Sequence, residues 1–267
     1  MKVLIIGAGN MGMTYGQSFV NASILSSTDL HVLEKHGGKE EQIKGISSHT
    51  IETSPGEFIR DMDLIILSVK PQDFQELAKA IRPYLRPDHL ILSIMAGIKV
   101  SGIERQLGIK KIVRAMPNLP AQVGLGMTVF TTSLEVSRLE IFTVQNLLNT
   151  TGKTLYVENE DLLDSATAVS GSGPAYVFYF MESMMKTARG MGFSDAEAQL
   201  LVKQTFLGSI NLLNKNNLSC SEWITKVSSK GGTTEAAIRQ FGQIELEAGI
   251  KAGLLAAENR AQELSEG

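Results

Sequence analysis

Four apolar residues, Val3-Leu4-Ile5-Ile6, run directly into Gly7-Ala8-Gly9-Asn10-Met11-Gly12. Few folds accept that join. An apolar run without alternation suits a strand buried on both faces. A G-x-G-x-x-G turn behind it, opening a helical segment, is the fingerprint of a dinucleotide-binding βαβ unit. Gly7 permits the tight turn, Gly9 lets the backbone approach a diphosphate, and Gly12 lets helix and strand pack closely. The helix start adds free N–H groups and a positive dipole end. Gly7, Gly9, Asn10, Met11 and Gly12 are therefore the expected diphosphate contacts, although a glycine-rich turn without ligand has the same local sequence.

Glu34 ends the predicted second strand, Leu30-His31-Val32-Leu33-Glu34, 22 residues past Gly12. A carboxylate at that distance accepts hydrogen bonds from an adenosine ribose. It also repels a 2′-phosphate, so NADH is expected over NADPH. Lys35, His36 and Lys39 follow and could partly reverse that preference.

The same alternation continues. Leu64–Leu67 and Leu90–Ile94 are further apolar runs, and helical spacing recurs at 10–22, 72–81 and 99–107. More strands are expected near 29–34, 111–115, 125–131 and 154–157. Strand–helix alternation of this kind predicts an α/β fold: an N-terminal Rossmann-type doubly wound sheet over residues 1–158. From about residue 160 the strand signals stop, and an all-α domain over 159–267 is expected. Ile250, Leu254, Ala257, Ala261 and Leu264 form one apolar stripe on the last helix. It serves packing within the chain or a helix–helix dimer contact, and periodicity does not separate the two.

Composition narrows the partners. Of 267 residues, 43% are hydrophobic and 20% charged, with a formal net charge of -3. That suits a packed core and argues against a nucleic-acid surface. The single cysteine, Cys220, excludes an internal disulfide and is expected to be a buried or partly exposed structural thiol. His31, His36, His49 and His89 have no metal-site spacing and are expected on the surface or in loops, so no metal is expected. Met181, Met184, Met185 and Met191 read as packing. The N-terminal apolar run is too short for a signal peptide and no run approaches a membrane span, so a cytoplasmic location is expected.

Three later segments have distinctive chemistry. Met116-Pro117-Asn118-Leu119-Pro120 stiffens a loop around one carboxamide, suited to recognising an amide or ribose, or forming a plain turn. Ser170-Gly171-Ser172-Gly173-Pro174-Ala175-Tyr176 reads as a helix cap or an anion site. Ser228-Ser229-Lys230-Gly231-Gly232-Thr233-Thr234 precedes another helix and can hold a carboxylate on exposed N–H groups and hydroxyls.

In that order, and with Val69-Lys70-Pro71 and Ala96-Gly97 between, these segments resemble the pyrroline-5-carboxylate reductase family along essentially the whole chain. The resemblance implies reduction of L-1-pyrroline-5-carboxylate to L-proline with NADH or NADPH, the last step of proline synthesis. It implies an interlocked homodimer, often assembled into a larger ring of dimers. Val69, Lys70, Pro71, Ala96 and Gly97 would line the cofactor cleft, with Asn118 near the nicotinamide. Ser229, Gly232, Thr233 and Thr234 would bind the imino acid's carboxylate, and Thr234 would reach the ring nitrogen as orienter and donor. Lys70 at a strand end is also compatible with simple solvation.

Two positions depart from the family pattern. Lys230 stands where proline is usual, and Pro55 stands near a position where many members carry asparagine. The first loosens the loop or adds attraction for an anion; the second leaves cofactor preference open. A reductase of another cyclic imine, or a non-catalytic dinucleotide-binding regulatory paralogue, are the alternatives. Retention of both threonines favours an enzyme.

Overall fold

The structure is a computed structural model and describes residues 1–35 and 51–266. His36, Lys39 and His49 lie outside the described residues. In chain order the strands are β1 (Val3–Ile6), β2 (Leu30–Leu33), β3 (Ile51–Glu52), β4 (Leu64–Leu67), β5 (Leu90–Ser93), β6 (Ile112–Met116), β7 (Gly126–Thr132) and β8 (Gly152–Tyr156). Between them lie the helices α1 (Asn10–Asn21), α2 (Phe74–Ile81), α3 (Val100–Leu107) and α4 (Arg138–Asn149). Among the described residues, the strands form one sheet in the order β3-β2-β1-β4-β5-β6-β7-β8. The first six are parallel, in the strand order of a doubly wound dinucleotide-binding fold. β7 departs from that pattern: it runs antiparallel to β6, and β8 then pairs with it in parallel.

Both faces of the central strands are covered, which is why β1 and β4 are apolar without alternation. Val3 and Ile5 face a cluster with Tyr15 and Phe19 of α1 and Val144, Leu147 and Leu148 of α4. Leu4 and Ile6 face the other way, against Phe74 and Ile81 of α2 and Ile103 and Leu107 of α3. His89 lies in the loop before β5, one of the two placements expected of the histidines, but it is buried there at 1% exposed. Its Nδ1 accepts the Arg86 N–H at 3.0 Å and closes the turn into β5.

After β8, the described elements are α5 (Leu162–Ala166), a π-helical turn (Thr167–Gly171), α6 (Gly173–Gly190), α7 (Asp195–Asn214), α8 (Cys220–Val227), α9 (Thr233–Gln243) and α10 (Leu246–Glu266). Capping boxes set the starts of α7 and α8: Ser194 with Glu197, and Ser219 with Glu222. The change to helices falls where expected, but the compact units do not divide at 158/159. One comprises residues up to Ser172 together with the chain from Ala257 on, and the other is Gly173–Ala256. The returning stretch is bonded to the first unit by Ser265 to Asp164 and by Ser165 to Glu258; Ala261, on the predicted stripe, is buried, while Ile250 and Leu264 stay exposed within the single chain. Cys220, expected to be buried or partly exposed, is exposed in the single chain. Met185 is buried, and Met184 and Met191 are exposed. Among the described residues, no helix is long and apolar enough to cross a membrane.

Candidate functional site

The parallel strands place a series of loops at their C-terminal ends, where ligands bind in open α/β sheets. The first is the glycine loop. Gly7 has φ 99°, and a Cβ there would lie 2.7 Å from the Ser68 carbonyl oxygen, so glycine is required twice over. At Gly12 a Cβ would stand 2.5 Å from the Gly7 oxygen and 2.7 Å from Ser68 Oγ, which shows how tightly α1 seats on the loop. Gly9 meets nothing within 4 Å. It begins α1 without a side-chain cap, so the amides of Asn10 and Met11 are left for a ligand. The residues present thus fit a dinucleotide diphosphate. A cleft of about 590 Å³ opens beside them, walled by Gly9, Asn10, Thr14, Gln17, Ala121 and Gln122.

Glu34 stands immediately after β2. Its Oε2 accepts the Ala8 N–H at 2.7 Å, and its own N–H donates to the Glu52 carbonyl at 2.9 Å. The carboxylate is therefore at the glycine loop. Lys35 is exposed and meets Glu76 at 3.4 Å. Beneath α1, Tyr15 donates to or accepts from Thr128 Oγ1 at 3.0 Å. Burial raises the phenol's pKa, so it packs as a neutral group.

The next loops belong to the same unit. After β4, Val69 is half-buried and Lys70 exposed, leading into a 3-10 turn at Pro71–Asp73. After β5, Ala96 is exposed and Gly97 has φ 73°; a Cβ on Gly97 would lie 2.7 Å from the Leu264 carbonyl oxygen. After β6 comes Asn118, whose carboxamide is bonded inside the protein. Nδ2 donates to the Ser170 carbonyl and hydroxyl, both at 3.2 Å, and Oδ1 accepts the Met127 N–H at 2.9 Å. The amide recognised here belongs to the chain itself, and the Met-Pro-Asn turn is tied to the Ser-Gly-Ser-Gly-Pro segment. Met116 adds to that tie, its methyl lying 2.8 Å from where a Cβ on Gly171 would stand.

The second unit carries the other predicted loop. Ser228 Oγ donates to the Ile224 carbonyl at 2.7 Å, and the Gly232 N–H donates to the Ser229 carbonyl at 2.9 Å. Gly231 has φ 71°, and its N–H donates to Glu235 Oε2 at 2.6 Å. One loop amide is therefore already satisfied by a carboxylate. The start of α9 after Gly232 has no side-chain cap, so the N–H groups at Thr233 and Thr234 and both hydroxyls remain the donors for an anion. Lys230 is exposed and Thr234 half-buried.

Two family models match the chain, one in each half. The family described as Pyrroline-5-carboxylate reductase dimerisation matches residues 160–264, and that described as NADP oxidoreductase coenzyme F420-dependent matches residues 2–97. The pyrroline-5-carboxylate reductase of Pseudomonas aeruginosa is 34% identical over 266 residues, covering 99% of this chain and 97% of its own. This chain belongs to the pyrroline-5-carboxylate reductase family. Solved pyrroline-5-carboxylate reductases share its fold over nearly the whole length. That of Coxiella burnetii superposes with a TM-score of 0.88 at 29% identity, covering 99% of this chain and 98% of its own. The Plasmodium falciparum pyrroline carboxylate reductase, solved with NADP bound, gives 0.87 at 26%, with the same coverage.

For this member of the pyrroline-5-carboxylate reductase family, sequence reasoning missed Ser170 as the partner of Asn118, Glu235 as the brace of Gly231, and Arg114. The last had a visible signal. A full charge inside Ile112-Val113-Arg114-Ala115-Met116, an otherwise apolar buried strand, demands a buried partner.

Proposed function

We propose that the chain reduces L-1-pyrroline-5-carboxylate to L-proline, the last step of proline synthesis, with NADPH or NADH as the reductant. The observation that carries this reading is the uncapped start of α1, open to a cleft behind a loop where only glycine fits at Gly7 and Gly12. It occurs in a chain related along its whole length to pyrroline-5-carboxylate reductases.

Bound there, the nicotinamide supplies the hydride that the imine carbon receives. The chain's own work is holding and aligning. Amides of Gly9, Asn10 and Met11 hold the diphosphate, and Glu34 holds the adenosine ribose. Val69, Lys70, Pro71, Ala96, Gly97 and Asn118 border the nicotinamide half. Ser229, Gly232, Thr233 and Thr234 grip the substrate carboxylate, and the Thr234 hydroxyl hydrogen-bonds the ring nitrogen. A protonated imine is already electrophilic, and a hydroxyl is a poor acid, so Thr234 orients more than it protonates.

In this reading the working unit is a homodimer in the cytoplasm, with dimers assembling further into a ring. Val177, Phe178, Tyr179, Leu207, Ile210 and Phe241 of the helical unit are exposed in the single chain, more apolar surface than a monomer usually leaves in water. The test is oxidation of NADH and of NADPH with pyrroline-5-carboxylate, with the product identified chirally. L-Proline at a rate above that with other cyclic imines supports the assignment. Dinucleotide binding without turnover of any imine would instead mark a non-catalytic regulatory protein.

A further inference from the structure

Arg114 stands in the middle of β6, and its side chain is 3% exposed. A guanidinium keeps its proton in such a place, so burial requires partners. Two carboxylates meet it: Nη1 donates to Glu160 Oε1 at 2.9 Å, and Nη2 donates to Asp164 Oδ1 at 3.1 Å. Each acid then reaches another segment. Glu160 Oε1 accepts the N–H of Val100 at 2.8 Å, the first residue of α3, and so tethers the stretch that follows Ala96 and Gly97. Asp164 Oδ1 accepts the Ser265 hydroxyl at 2.9 Å, near the end of α10. The neighbouring Leu264 carbonyl is the atom that crowds Gly97. A second bond, from Ser165 to the Glu258 carboxylate, fastens the same helix. On its own strand, Arg114 precedes Met116 and Asn118, which grip Gly171 and Ser170.

A buried ion pair is weak evidence for stability, because packed apolar groups of similar volume serve as well. Its distinctive property is direction: a guanidinium fork fixes two acceptors at set angles. Here the turn after β5 is tied through Glu160 and Val100, the turn after β6 continues Arg114's own strand, and the end of α10 is tied through Asp164 and Ser265. The first two are the loops that border the nicotinamide in the function proposed above, on which this inference rests. We propose that Arg114 is a positioning residue for hydride transfer. With Glu160, Asp164 and Ser265 it holds the Ala96–Gly97 turn and the Met116–Asn118 turn at the separation the nicotinamide ring requires, without touching the reacting atoms.

The test compares the full-length enzyme with Arg114→Lys, Asp164→Asn and Ser265→Ala. Two quantities are read: the single-turnover rate of hydride transfer to pyrroline-5-carboxylate, and the affinity for ADP-ribose, which engages the glycine loop but lacks nicotinamide. Misplacement by an ångström costs up to about a hundredfold in rate. A fall of about tenfold is expected for Arg114→Lys and Asp164→Asn, and about threefold for Ser265→Ala, with ADP-ribose affinity unchanged. A merely structural role would lower stability without that selectivity. Wild-type transfer rates in folded variants would overturn the proposal, as would ADP-ribose affinity falling in step with rate. If Arg114→Lys fails to fold, Ser265→Ala decides, since it removes a single hydroxyl. Absence of any turnover by the wild-type enzyme would remove the functional reading and this proposal together; an active wild type with indifferent variants would remove this proposal alone.

Discussion

The Glu34 carboxylate accepts the backbone N–H of Ala8 at 2.7 Å, which puts a negative charge against the glycine loop. Two unit charges about 4 Å apart near a surface repel by about 4 kcal/mol before salt screening. NADH is therefore expected to be used better than NADPH. In Glu34→Ser, the ratio of kcat/KM for NADPH to that for NADH should rise by about tenfold, a change of about 1.4 kcal/mol. An unchanged ratio in steady-state kinetics would take Glu34 out of cofactor selection.

Gly12 leaves no room for a methyl group, since a Cβ would meet backbone at Gly7 and the side chain of Ser68. Overpacking of this kind costs about 1–3 kcal/mol, here borne by the loop that holds the diphosphate. Gly12→Ala should weaken NADH binding by at least about tenfold. Titration of cofactor fluorescence measures it, with thermal unfolding run alongside. Gly9→Ala, whose added methyl meets only open space in the unliganded chain, should fold normally.

Thr234 lies at the start of α9, whose N-terminus has no side-chain cap. If its hydroxyl orients the imine nitrogen, Thr234→Ala should lower kcat by about tenfold or more, while dinucleotide affinity stays within about twofold. Thr234→Ser should recover most of the loss. A serine variant as slow as the alanine variant would point to the methyl group and not the hydroxyl.

His89 makes stability depend on pH. Burial chiefly, with the nearby charge of Arg86, holds its imidazole below the ordinary value of 6.5. His31 is shifted in the same direction, by burial and then by Lys2. The folded chain keeps these rings neutral, while the unfolded chain takes up protons as pH falls through about 6.5. Their favourable contribution is complete above that pH and is lost progressively below it. Urea midpoints should be flat from pH 8 to 7 and fall as the pH drops below about 6.5. In His89→Gln the fall should be shallower, with His31 supplying the remainder. Parallel curves for the two proteins would show that His89 contributes nothing to it.

Much of the frame was legible without coordinates. Val3–Ile6 and Leu64–Leu67 are strands because uninterrupted apolar residues need cover on both faces, and that need is written locally. The glycine loop was equally legible, since Gly7 and Gly12 answer clashes that recur wherever such a turn is built. The reversal of β7 was not. Its residues suit a strand in either direction, and only pairing with β6 chooses one. Likewise, the carboxamide of Asn118 could have faced a ligand as readily as Ser170 and Met127.

The sequence by itself determined most of the stretches that become strands and helices and the glycines at which α1 and α9 start without a side-chain cap, because periodicity, glycine and proline act over a few residues. Tertiary structure alone decided the partners of Arg114, at positions 160 and 164, and the return of Leu264 to Gly97. Contacts that far apart along the chain exist only after the sheet is assembled, when a buried charge must find its counter-charges and a carbonyl can press on a turn that has no side chain.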